Sequence, residues 1–116
     1  MKTIVTSYGS YLTGTEIADA VTAYGLALAR VQGVDIVDIP FLSSDGSVSR
    51  VSLRVGWLSD MAVVTVRAAA DEVLEIDTIM TILTKTSRLE ARQGLAFAYE
   101  DIEQLRSSDL NWDDII

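Results

Sequence analysis

The stretch TSYGSYLTGTE, residues 6–16, holds two glycines, a crowd of hydroxyls and a single acid. Its reading decides how the first strand of the chain is connected to the first helix. A phosphate-cradling loop needs successive backbone N–H groups aimed at one point, usually with several glycines and a lysine. Neither GxGxxG nor GxxxxGK[ST] is present, and no Lys or Arg occurs between Lys2 and Arg30. What is present is Thr13-Gly14-Thr15-Glu16, the S/T-x-x-E pattern of a capping box. In that motif the Thr hydroxyl accepts the Glu backbone N–H and the Glu side chain accepts the Thr N–H. The stretch is therefore read as a loop that starts a helix, with Ser7, Ser10 and Tyr11 as its candidate ligand contacts.

On either side of that loop the periodicities are clear. Residues 3–8 (TIVTSY) are β-branched and short, as a strand requires. In residues 14–32, Ile17, Val21, Tyr24, Leu28 and Val31 recur at steps of three and four and make one apolar face, with Gly33 placed to cap the end. Residues 34–42 (VDIVDIPFL) read as a strand that lies at an edge or ends at Pro40, which has no N–H for the ladder. Residues 43–47 (SSDGS) form a hairpin loop. In residues 48–58, Val51, Leu53, Val55 and Trp57 alternate with Arg50, Ser52 and Arg54, so one face is buried and one is wet. Residues 61–67 (MAVVTVR) are apolar on both faces, which suits a central strand.

Beyond Asp71 the period becomes helical over 71–90, although the β-branched residues at 77–86 also admit a strand. A second helix is expected over 95–106, after Gly94. The order β-α-β-β-β-α-α implies a parallel strand–helix–strand crossover followed by antiparallel hairpins. The fold class is α+β: two layers, a mixed four-stranded sheet with helices mainly on one face. Residues 1–107 form a single domain, and residues 108–116 an acidic tail anchored by Trp112.

Composition removes whole classes of chemistry. The chain has no Cys and no His, so a Ser-His-Asp triad, a thiol nucleophile and a structural zinc site cannot be built from it alone. Asp35 and Asp38, three apart on a strand, face opposite sides and do not make a paired-carboxylate site. No metal site and no cofactor are expected. The net charge is −8, and residues 71–116 carry eleven acids against four bases. Such a chain is repelled by nucleic acid and by anionic membranes, and favours basic or apolar protein surfaces. With no signal-like or membrane-spanning apolar run, a cytoplasmic location is expected.

Two surfaces remain as candidates. Arg50 and Arg54 lie on one strand face with Ser52 between them, a patch suited to a carboxylate or phosphate. Leu110, Trp112 and Ile115 are apolar residues set among Asp109, Asp113 and Asp114, an anchor suited to a protein contact. The leading expectation is a non-enzymatic interaction or assembly module that self-associates. The alternative is a small anionic-ligand binder or modest enzyme at the first strand–helix loop.

Overall fold

The computed structural model describes residues 1–67 and 71–106, with side chains through Gln93. The chain runs β1 (Lys2–Thr6), β2 (Gly9–Thr13), α1 (Thr15–Arg30), β3 (Val34–Leu42), β4 (Val48–Gly56), β5 (Met61–Thr65) and α2 (Ile76–Arg106). The α+β class holds, but the sheet has five strands in the order β4-β3-β2-β1-β5, and every pairing is antiparallel. The missing strand is β2, hidden in the stretch read as a loop. Thr6 pairs with Gly9 across a two-residue turn, Ser7-Tyr8, and Lys2 pairs with Thr13 at the other end. The turn is held by the Thr6 hydroxyl, which accepts the Tyr8 N–H and donates to the Gly9 carbonyl, each at 3.2 Å. Because β2 reverses the chain before α1 begins, the expected parallel crossover does not form.

The sheet consists of a long hairpin, β3–β4, and a three-stranded part, β2-β1-β5. A single residue pair, Leu12 with Leu42, joins them in the ladder. The buried Thr13 hydroxyl reinforces this junction by donating to the Pro40 carbonyl at 2.8 Å. Pro40 neither ends β3 nor lies on the outermost strand. It is tolerated because most of the β2-facing flank of β3 carries no ladder. The two parts meet again at the four-residue turn Trp57–Asp60 between β4 and β5. β5 is an edge strand paired only with β1, not the central strand that its apolar composition suggested.

One core fills the space between the parts. Ile4 from β1, Val37 and Ile39 from β3, and Leu53 and Val55 from β4 meet Ile17, Val21, Tyr24 and Leu28 of α1, with Ile79 and Ile82 of α2. Four of the five residues of the apolar stripe read from the sequence pack here, each fully buried Ile or Val contributing about 1.5–3 kcal/mol; Val31, the C-cap, is instead 44% exposed. α1 closes with a Schellman motif: Gly33 N–H donates to the Leu28 carbonyl at 2.8 Å and Gln32 N–H to the Ala29 carbonyl at 3.1 Å. Gln32, not Gly33, occupies the left-handed position, at φ 56°. Trp57 is not core. Gly56, at φ 109°, breaks the alternation of β4, and Trp57 leaves the inner face 40% exposed.

The helix expected from Asp71 starts instead at Ile76. Residues 71–75 cross the outer end of the hairpin beside Pro40, Leu42 and Val48. Glu75 then opens α2, accepting the Ile79 N–H at its carbonyl and the Thr78 hydroxyl at its carboxylate. Residues 77–86 are helix, and α2 continues unbroken through Gly94. One glycine costs about 1 kcal/mol relative to Ala, too little to end a helix among strong helix formers. No helix among the described residues is long and apolar enough to cross a membrane.

Candidate functional site: the Arg54 cleft

Three of the five residues singled out for ligand contact converge. Ser7, Tyr11 and Arg54 line one cleft of about 400 Å³, together with Thr6, Tyr8, Ser52, Leu53 and the turn residues Leu58, Ser59 and Asp60. Two turns shape it. One is the Ser7-Tyr8 turn after β1, and the other is Leu58–Asp60, which follows the lining residues Ser52–Arg54 of β4. Tyr11 supplies an aromatic surface, its ring edge-to-face on Phe41 with centroids 5.3 Å apart. Leu53 itself is buried in the core, and Leu58 is the exposed apolar side chain of the lining.

Arg54 is the cation of the cleft. Its Nη1 donates to the Ser59 hydroxyl at 3.1 Å. Among the described residues it makes no ion pair. A guanidinium has five N–H donors in a planar fork, so most of its capacity is open to a carboxylate or phosphate. Asp60, which also lines the cleft, limits how much negative charge it accepts. An arginine, several hydroxyls and an aromatic surface are the groups from which an anion site can be built.

Arg50 and Ser10 do not join this cleft. Ser10 is exposed and alternates to the other side of β2 from Tyr11. Arg50 is engaged within the chain: Nε donates to Asp38 Oδ1 at 2.8 Å and Nη1 to Glu75 Oε2 at 2.8 Å. The Glu75 and Asp38 carboxylates raise its pKa above the ordinary arginine value, the Glu75 hydrogen bond being the larger cause. Arg50 thus ties the segment before α2 to the sheet.

A second polar cluster escaped the sequence reading. The Tyr24 hydroxyl donates to Asp35 Oδ2 at 2.6 Å, and Lys85 Nζ lies 3.4 Å from the same oxygen. Burial, then the Asp35 hydrogen bond, push the Tyr24 phenol up to about 12. The Tyr24 hydrogen bond in turn is the main cause holding Asp35 below its ordinary value. The usable signal was the alternation of β3, which puts Asp35 on the same face as Val37 and Ile39, toward α1. Asp35 and Asp38 face apart, and no group of three or more potential metal-ligating side chains occurs among the described residues. Leu110, Trp112 and Ile115 lie outside the described residues.

Comparison of the chain with protein-family models, with curated proteins and with solved structures finds no match.

Proposed function

We propose that this chain is a non-enzymatic assembly module that self-associates through the distal half of α2. The observation that carries the reading is the length of that helix. α2 has 31 residues and α1, beside it, has 16. At 1.5 Å per residue these are about 46 Å and 24 Å. The molecule accordingly measures 64 × 26 × 22 Å, with a radius of gyration of 18.2 Å, where a compact chain of this size has about 13 Å. An isolated helix end is marginal in water and is normally stabilised by packing. In sequence, Leu95, Tyr99 and Ile102 recur at the four- and three-residue steps of a helix–helix seam.

Sedimentation equilibrium between 1 and 100 μM (roughly the span of a transient dimer) tests the reading. A dimer is expected, and Ile102→Asp or Leu95→Asp should return it to monomer with its far-UV circular dichroism otherwise kept. Wild-type protein that stays monomeric across that range removes the reading.

A second reading rests on the Arg54 cleft: a binding site for a small anion. Thermal-shift measurements with phosphorylated metabolites and organic acids test it, and stabilisation that survives Arg54→Gln unchanged would count against it.

A further inference from the structure

We infer that the Arg54 cleft receives the acidic segment 107–116 of a second copy of the chain. This rests on the self-association reading and names a second contact within it.

The charge match is specific. Among the described residues Arg54 is without an acid partner, whereas Arg50, on the same strand, is held by Asp38 and Glu75. The segment SSDLNWDDII carries Asp109, Asp113 and Asp114 and no base. A carboxylate on the Arg54 fork, with the Ser7 and Ser52 hydroxyls beside it, makes charge-assisted hydrogen bonds. Asp60 opposes entry of several acids at once, so the site suits one carboxylate flanked by apolar side chains. Trp112 next to Asp113 has that form.

The apolar match is equally direct. Tyr11 gives the cleft an aromatic surface, and Leu58, 79% exposed, lines it as well. An indole buried there removes apolar surface on both sides from water, and an arginine–aromatic cluster is a common interface anchor. Three consecutive residues of β4, Ser52 to Arg54, line the cleft, and β4 is an edge strand with one unpaired side. An extended segment laid along that edge has backbone groups to pair with.

Reach favours a second copy. Leu89 packs against the core. α2 then runs on through Arg106, 17 residues or about 25 Å. The six residues from there to Trp112 span at most about 22 Å when fully extended. The segment thus leaves α2 about as far from Leu89 as it can reach back, and we take a neighbour's cleft as its acceptor.

A fluorescein-labelled peptide of residues 107–116, titrated into the full-length protein and read by anisotropy, tests the inference. Saturable binding is expected, weakened at least tenfold by Arg54→Glu and clearly by Arg54→Gln. A peptide with Trp112→Ala, or with Asn in place of Asp113 and Asp114, should bind correspondingly less. Equal binding to wild type and Arg54→Glu overturns the inference. So does full displacement by millimolar succinate together with indifference to Trp112→Ala, which would leave the cleft a site for small carboxylates. Loss of the dimer in Ile102→Asp with peptide binding retained would leave both contacts standing. A dimer insensitive to Arg54→Glu, with no peptide binding, would remove this contact and leave the α2 seam.

Discussion

The carboxylate of Glu72 accepts the backbone N–H of Thr15, capping a helix that begins 57 residues earlier in the chain. Its other oxygen accepts the Met1 ammonium at 3.0 Å. The capping box read at Thr13–Glu16 does not form: Gly14 is the N-cap, no side chain of the motif caps the helix, and the Thr13 hydroxyl is committed to Pro40. Glu72 supplies the missing acceptor and puts negative charge at the positive end of the helix dipole. The approach depends on Gly14, where a Cβ would stand 1.8 Å from the Val73 carbonyl oxygen. Glu72→Ala should lower the Tm, and Glu72→Gln, which keeps an amide oxygen, should lower it less. Gly14→Ala should do more damage than either, since it displaces residues 71–75 as a unit. Thermal unfolding followed by circular dichroism checks the ranking, and a Gly14→Ala protein as stable as wild type would contradict it.

Thr13→Val tests the junction between the two parts of the sheet. Valine matches threonine in shape and removes the hydroxyl that reaches the Pro40 carbonyl. A buried carbonyl left without a partner costs about 1–3 kcal/mol. Urea denaturation should show that loss. Because Leu12–Leu42 is the one ladder pair here, hydrogen exchange should also quicken at that pair relative to the β3–β4 hairpin.

The long hairpin was legible because Asp45-Gly46 marks its loop and eight residues of alternation mark β4. The Asp45 carboxylate accepts the Ser47 N–H at 3.0 Å, and Gly46 takes φ 86°. α1 was legible because its stripe is regular and packs mainly on apolar side chains. β2 was not, and the reason is its turn. Ser7-Tyr8 contains neither Gly nor Asn, and neither residue has positive φ, so the usual hairpin signal is absent. Gly9 and Gly14 then made five strand residues resemble a loop. At the site, alternation correctly placed Arg50 and Arg54 on one face. It carried no information on which of them a distant acid would occupy. That depends on residues 71–75 crossing the hairpin, a tertiary event without local pattern.

Gly56 and Gly46 separate two reasons for glycine. Both have positive φ, at 109° and 86°. A Cβ on Gly56 would lie 2.3 Å from the Gly33 carbonyl oxygen and 2.9 Å from Leu28 Cβ, whereas nothing lies within 4 Å at Gly46. Gly46→Ala should cost about 1 kcal/mol, the backbone strain alone. Gly56→Ala adds a clash with the α1–β3 connection and should cost about 3 kcal/mol or more. The same approach carries the bond from Trp57 N–H to the Gly33 carbonyl, 2.8 Å. Urea titration of the pair decides it, with equal losses counting against the packing described here.

Gln32→Gly should stabilise the protein. Gln32 holds the left-handed position of the Schellman motif at φ 56°, where a side chain is strained by about 1–2 kcal/mol. Glycine removes that strain but increases the entropy of the unfolded chain, leaving a net gain of about 0.5–1 kcal/mol. Gly33 contributes no such strain to relieve, since the positive-φ glycines are Gly46 and Gly56. A Gln32→Gly variant less stable than wild type would place the cap elsewhere.

Stability should be level across the neutral range and fall at both extremes, for separable reasons. The chain has no histidine to titrate near neutrality. At the acid end, the Thr15 N–H and then the Met1 ammonium pull Glu72 from 4.5 down to about 2. A depressed carboxylate stabilises the fold above its unfolded pKa, so this contribution is present above about pH 4.5 and lost as pH falls towards 2. Glu75, lowered first by the Thr78 hydroxyl and then by Arg50, and Asp35, lowered first by Tyr24, act in the same direction. At the alkaline end the sign is opposite. Tyr24 is raised from 10.0 to about 12, so its contribution is complete below about pH 10 and disappears as pH climbs through 12. Tyr24→Phe should lower stability at pH 7, because Asp35 loses its hydroxyl donor, and should shallow the alkaline fall. Glu72→Gln should shallow the acid fall and leave the alkaline one intact. Urea midpoints from pH 2 to 11 measure both limbs. An alkaline limb of unchanged steepness in Tyr24→Phe would mean that the Tyr24–Asp35 bond does not hold the phenol neutral.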